Sequence, residues 1–80
     1  MHTKEYTTHV KLPGNQSFDV TYYCKDAKLT ATEKQTHTHL YIQFHDCICT
    51  LKIEKAICKQ PQLLEKMVHT KVINTKGHLC

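Results

Sequence analysis

Seven histidines and five cysteines in 80 residues are the side chains with the most chemistry to offer. His37, His39 and His45 stand at even offsets on a stretch that reads as a strand. On a regular strand they would share one face, with His37 and His39 about 6.7 Å apart at the usual rise per residue. Neutral imidazoles at that spacing could hold a transition metal such as zinc. The plainer alternative is a row of polar residues on a solvent face. Cys47 and Cys49 form a C-x-C pair, for which Cys58, His69, His78 and Cys80 could supply a second half. A zinc finger carries two closely spaced ligand pairs at matched distances, and that pattern is missing. Cys47 and Cys49 also alternate in phase with Leu51 and Ile53, which points them into the core. Catalytic templates fare worse. Gly14 and Gly77 are the only glycines, too few for a phosphate loop. The seven carboxylates form no close pair that could divide acid and base roles, and no local Cys–His nucleophile signature occurs. The expectation is a chain with no catalytic residue and no cofactor, zinc on the histidines being the alternative.

One string resembles a known motif. His37-Thr38-His39-Leu40-Tyr41-Ile42-Gln43-Phe44 is similar to the metal-binding second motif of rolling-circle replication proteins of the geminivirus type, and Phe18–Cys24 resembles their first. That resemblance implies a histidine pair on a divalent metal and a downstream tyrosine attacking a DNA phosphate. The tyrosines are Tyr6, Tyr22, Tyr23 and Tyr41, and none follows the histidine pair on the C-terminal helix. Without that nucleophile the covalent step cannot occur, so the resemblance is not adopted as an identification.

The elements that must position these residues follow from periodicity. Tyr6, Thr8, Val10 and Leu12 alternate with polar residues over 4–12, and Phe18, Val20, Tyr22 and Cys24 do so over 17–24. Pro13-Gly14-Asn15 between them reads as a hairpin turn. Residues 37–44 set Leu40, Ile42 and Phe44 against His37, His39, Tyr41 and Gln43. A turn or bulge at His45-Asp46 leads to a strand carrying Cys47, Cys49, Leu51 and Ile53 on one face. Residues 25–36 admit two readings: a short edge strand through Leu29 and Ala31, or one helical turn with Thr30 and Glu33 as a capping box. From residue 60 the period changes. Gln60 can cap and Pro61 can open a helix of about twelve residues that buries Leu64, Met67 or Val68, and Val72. Asn74 to Gly77 ends it, leaving 75–80 as a frayed tail.

Length and composition bound the rest. Eighty residues allow a single small domain, and Leu, Ile, Val and Phe together make 18 of them, a thin core. All eleven cationic side chains are lysines, and they are scattered. Lysine lacks the planar fork with which arginine reads phosphates and guanines, so nucleic-acid binding would be weak and through the backbone. A Lys-for-Arg bias fits an AT-rich gene of the kind common in phages and prophages. There is no long apolar run to span a membrane, and the start MHTKEYTTHV lacks the apolar segment of a secretory signal. An odd cysteine count without such a signal predicts free thiols in a reducing cytoplasm, and an exposed Cys80.

The expected fold is α+β, a small antiparallel sheet of four to five strands with one C-terminal helix on one face. The expected function is that of a small non-enzymatic cytoplasmic protein, phage- or prophage-encoded, that associates with another macromolecule. The partner would be a protein or a second copy, with no membrane involved. It would meet a sheet edge, either 4–12 or 27–32, or the face bearing His39, Tyr41 and Gln43. Tyr22 and Tyr41 are candidate cross-strand neighbours on such a surface. Zinc binding by His37, His39 and His45, or weak nucleic-acid binding by the lysines, is the alternative.

Overall fold

The computed structural model describes residues 4–78. Four strands, β1 (Glu5–Leu12), β2 (Gln16–Lys25), β3 (His37–Phe44) and β4 (Cys47–Glu54), form one antiparallel sheet in the order β1-β2-β3-β4. A helical turn, α1 (Glu33–Thr36), lies between β2 and β3. A 3-10 turn, Lys55–Lys59, leads into the C-terminal helix α2 (Pro61–Asn74). The α+β architecture expected from the alternating patterns is thus present, with four strands.

Register follows from the turns. Leu12 pairs with Gln16 across the three-residue Pro13-Gly14-Asn15 loop, and Phe44 pairs with Cys47 across His45-Asp46. His45 takes φ 55°, the left-handed value that a two-residue hairpin turn demands at its first position. Because strand side chains alternate, these two turns align the apolar sets within each hairpin, and the β2–β3 register, with Tyr22 opposite Ile42 and Cys24 opposite Leu40, puts both hairpins' sets on the same inner face. Val10, Val20, Leu40 and Ile42 are fully buried there, against Leu64, Val68 and Val72 of α2.

Helix α2 starts and stops as its sequence dictates. Pro61 occupies the first turn, where its missing N–H is harmless, and the Gln60 carbonyl accepts from the N–H groups of Leu63 and Leu64 at 3.0 Å. At the other end Lys76 (φ 56°) and Gly77 (φ 82°) are left-handed. Their N–H groups reach Ile73 O at 3.1 Å and Val72 O at 3.0 Å, the paired bonds of a Schellman cap. Gly77 also lies under the Phe18 ring, where a Cβ would come within 3.2 Å. Within the segment 75–80, then, Thr75 to Gly77 form this cap; residues 79 and 80 lie outside the described residues.

Residues 25–36 resolve to the helical-turn alternative, with Thr30 and Glu33 bonded to each other. The pair does not form the second half of a capping box, since α1 starts after Thr32 and the Glu33 carboxylate meets the Thr30 hydroxyl, not its backbone N–H. Thr30 Oγ1 accepts from Glu33 N–H at 3.1 Å and donates to Glu33 Oε1 at 3.0 Å. No strand forms over 27–32, so the sheet edges are β1 and β4. This connection is fastened at one end of the sheet. Lys52 pairs with Glu33 at 2.8 Å, and Lys55 reaches both Asp26 (3.3 Å) and the Lys34 carbonyl (2.6 Å).

The cysteine reading needs correction. Cys24 and Cys58 are joined in a disulfide, with Cα atoms 6.4 Å apart, and Cys47 is not a free thiol either. The residues are 34 apart in sequence, and only the antiparallel return of β3 and β4 brings the 3-10 turn back beside the end of β2. Cysteine count and spacing carry no sign of that. Cys49 is free and half-buried on the inner face, and Cys80 lies outside the described residues.

Candidate functional site

The helix packs on one face of the sheet; on the opposite face the connection between β2 and β3 meets one end, at His39 and Lys52. At the centre of that face Tyr23 and Tyr41, register partners on β2 and β3, stack with centroids 5.2 Å apart and planes 7° from parallel. His39, two residues from Tyr41 on the same face, meets its ring edge-on at 6.2 Å. Gln43 lies on the other side of Tyr41, exposed and opposite Thr21. Tyr23, His39 and Tyr41 are half-buried, pressed against one another with an open side to water. Three residues predicted for a partner surface, His39, Tyr41 and Gln43, therefore share one face with a stacked aromatic pair at its middle.

The tyrosine partner differs from expectation. Tyr22 is buried on the inner face, paired in register with Ile42 and stacked on Tyr6 at 5.5 Å. The companion of Tyr41 is Tyr23. Strict alternation from Val20 already places Tyr23 outward, so the signal was present in the sequence.

The histidines do not gather. His37 and His39 do lie on the outer face of β3, but each has a partner of its own. His37 Nδ1 is 2.7 Å from Thr36 Oγ1, and His39 Nδ1 is 2.5 Å from the Ala27 carbonyl. A carbonyl only accepts, so His39 donates from Nδ1 and keeps Nε2 as its free nitrogen. His45 leaves the row because its left-handed backbone turns the side chain toward the other face. Its ring meets Phe44 at 4.3 Å and Phe18 at 5.9 Å, both edge-on. Among the described residues no three His, Cys, Asp or Glu side chains are grouped so as to hold a metal ion. The second half proposed for Cys47 and Cys49 is dispersed as well: Cys58 is in the disulfide, and His69 faces β1.

A polar cluster that the sequence reading missed sits between β1 and α2. Thr8, buried, has its hydroxyl 2.8 Å from His69 Nε2 and 3.0 Å from Glu65 Oε1. His69 Nε2 lies 3.7 Å from the same carboxylate oxygen. Hydroxyl, imidazole and carboxylate invite comparison with a nucleophile, base and acid. In a relay the acid holds the imidazole nitrogen opposite the one facing the nucleophile. Here acid and hydroxyl meet one nitrogen, so Glu65 cannot orient His69 toward Thr8 in that way. A consistent proton arrangement runs from His69 N–H to the Thr8 hydroxyl and from that hydroxyl to Glu65. It ties the helix to β1. Below it Tyr22 has its phenol pKa raised, chiefly by burial and then by Glu65 and Tyr6. Only the i, i+4 spacing of Glu65 and His69 was visible in the sequence.

At the end of the sheet, Asp26 has its pKa lowered, first by the hydrogen bond from Thr38 and then by Lys55 and Lys34. Glu33 is lowered by Lys52 and by Thr30. These carboxylates border the outer face, and with Lys52 and Lys55 they leave it of mixed charge. Among the described residues no helix is long and apolar enough to cross a membrane. No protein-family model, no curated protein and no solved structure matches the chain.

Proposed function

We propose that this protein is a non-enzymatic binding module that engages a protein partner through the outer face of its sheet, with Tyr23, His39, Tyr41 and Gln43 at the contact centre. The observation that carries the reading is the stacked Tyr23–Tyr41 pair on the two central strands, on the face opposite helix α2. Tyrosine is enriched at interfaces because it offers a large rigid apolar surface with a polar tip. Its rigidity here is already provided by the partner ring and by His39, which the Ala27 carbonyl holds in place. Less order has to be imposed on binding.

Size limits what such a face can do. Four strands about 4.8 Å apart and eight residues long at about 3.3 Å each span roughly 19 by 26 Å, or about 500 Å². That is below the roughly 800 Å² per partner of a standard interface, which suits a transient association unless a sheet edge joins in. The disulfide supports action where such a bond persists, in an oxidising setting.

The test is affinity capture with the wild-type chain and with a Tyr23→Ala/Tyr41→Ala variant shown to be folded. A protein retained by the first and lost with the second supports the proposal. Equal capture by both overturns it. Salt-sensitive retention of single-stranded DNA or RNA by the wild type, lost with the variant, would replace a protein partner with nucleic acid.

A further inference from the structure

We infer that the groove between α2 and the free edge of β4 is a docking site for an extended acidic peptide segment, which would join the sheet as a fifth strand. This surface is on the opposite side of the sheet from the tyrosine pair and does not depend on it.

Two independent features converge here. Among the described residues strand β4 pairs only with β3, so beside Leu51 its other side is an open edge for a further strand. The helix also sits off-centre. It packs toward β1, where Thr8, Val10 and Leu12 are buried, while Cys49 and Leu51 of β4 stay half-buried. The strip so exposed is a groove of about 360 Å³ with an apolar floor of Leu51, Leu63 and Met67. Leu63 is one of the few large apolar side chains left exposed, at 37 %.

Charge selects the occupant. Lys66 and Lys71 line the groove, and no carboxylate does. Glu65 is the only acidic residue of α2, and Thr8 holds it on the β1 side. A second copy docking by a two-fold axis would set one Lys66- and Lys71-bearing patch against the same patch, whereas a segment bearing Glu or Asp would meet these lysines favourably. Length fits an extended segment too. The helix stripe from Leu63 to Asn74 is about 16 Å long at 1.5 Å per residue, which matches about five residues of strand. Backbone pairing with β4 would supply affinity, and of the alternate side chains facing the groove a central apolar one would fill the space over Leu51 while its acidic neighbours on that side meet Lys66 and Lys71.

The probe is a fluorescent, end-capped Thr-Glu-Thr-Val-Thr-Glu-Thr peptide, whose Glu and Val side chains share the groove-facing side of a strand, followed by anisotropy; the matching Val–Lys peptide has Lys in place of both Glu residues. Wild type should bind it about tenfold more tightly than the matching Val–Lys peptide, as two exposed ion pairs allow. Lys66→Glu/Lys71→Glu, at an exposed and a half-buried position of α2 and shown to be folded by circular dichroism, should reverse that preference. Replacing the central Val of the peptide by Pro should abolish binding, because it blocks the ladder. Tyr23→Ala/Tyr41→Ala should leave the affinity unchanged, which keeps this site distinguishable from the outer face. Absence of saturable binding, or equal affinity for both peptides, would overturn the proposal. So would a dimer in sedimentation that is lost on Lys66→Glu, which would assign the groove to a second copy, and so would binding of dodecanoate there with no response from the peptide.

Discussion

Replacing both Cys24 and Cys58 by Ala should destabilise the domain more than any single surface change. The bond closes a loop of 34 residues, and the chain-entropy relation assigns such a loop about 3.8 kcal/mol at 25 °C. An 80-residue domain has roughly 4–12 kcal/mol in total, so the loss is a third or more of its stability. At about 4–8 °C per kcal/mol for a domain of this size, Tm should fall by about 15–30 °C. Thermal melts by circular dichroism, with Cys47 and Cys49 untouched, give the shift directly. A urea titration adds a second reading. Because the effect resides in a less constrained unfolded chain, the m-value should rise as the midpoint falls. Peptide mapping without reductant establishes that the parent protein carries the bond. A parent with the bond intact and a variant melting within about 5 °C of it would refute the reasoning, because the loop would then contribute little to the entropy of the unfolded state.

Three further outcomes follow from the packing. Val68 is fully buried in α2, so Val68→Asp places an unpaired carboxylate in the core at several kcal/mol and should unfold the chain, read by loss of the cooperative melt; a variant that stays folded but no longer binds would mean that the helix is the binding surface. The raised pKa of Tyr22 means that the folded state keeps the phenol proton to higher pH than the unfolded chain. Its contribution is therefore full below the usual tyrosine value and is lost as pH rises through the folded one, so Tyr22→Phe should flatten the alkaline fall in urea midpoint, and an unchanged slope would contradict this. Asp26 has the opposite sign: its carboxyl is lowered by Thr38 and Lys55, so it stabilises above the usual carboxylate range and the benefit disappears as pH falls through the lowered value. Asp26→Asn should make stability less dependent on pH through and below the usual carboxylate range, measured by the same titration.

What could be read from the sequence was what alternation and local hydrogen-bonding chemistry determine. The inner sets Val10 and Leu12, Val20 and Tyr22, Leu40 and Ile42 follow from a period of two, and Leu64, Val68 and Val72 from a helical period. Pro61 and Gly77 marked the helix ends because φ and the missing N–H are properties of the residues themselves. The site was legible only in part. His39, Tyr41 and Gln43 fell on one strand face as expected. Tyr23 was passed over in favour of Tyr22, although alternation already separated them. His45 was placed with His37 and His39 because the row was extended through a turn whose left-handed φ reverses the face. The disulfide and the Thr8–Glu65–His69 cluster join residues 34 and about 60 apart, and nothing local encodes such meetings.

The binding face itself is tested most directly by placing a benzophenone side chain at one of two exposed positions and irradiating the protein with its captured partner. Gln43 lies beside Tyr41 on the outer face, and Ile73 is exposed on the far side of α2. Crosslinks from position 43 and none from position 73 are expected, with the crosslink at 43 lost when Tyr23 and Tyr41 are both alanine. Crosslinks from position 73 and none from position 43 would contradict the proposal and assign binding to the helix.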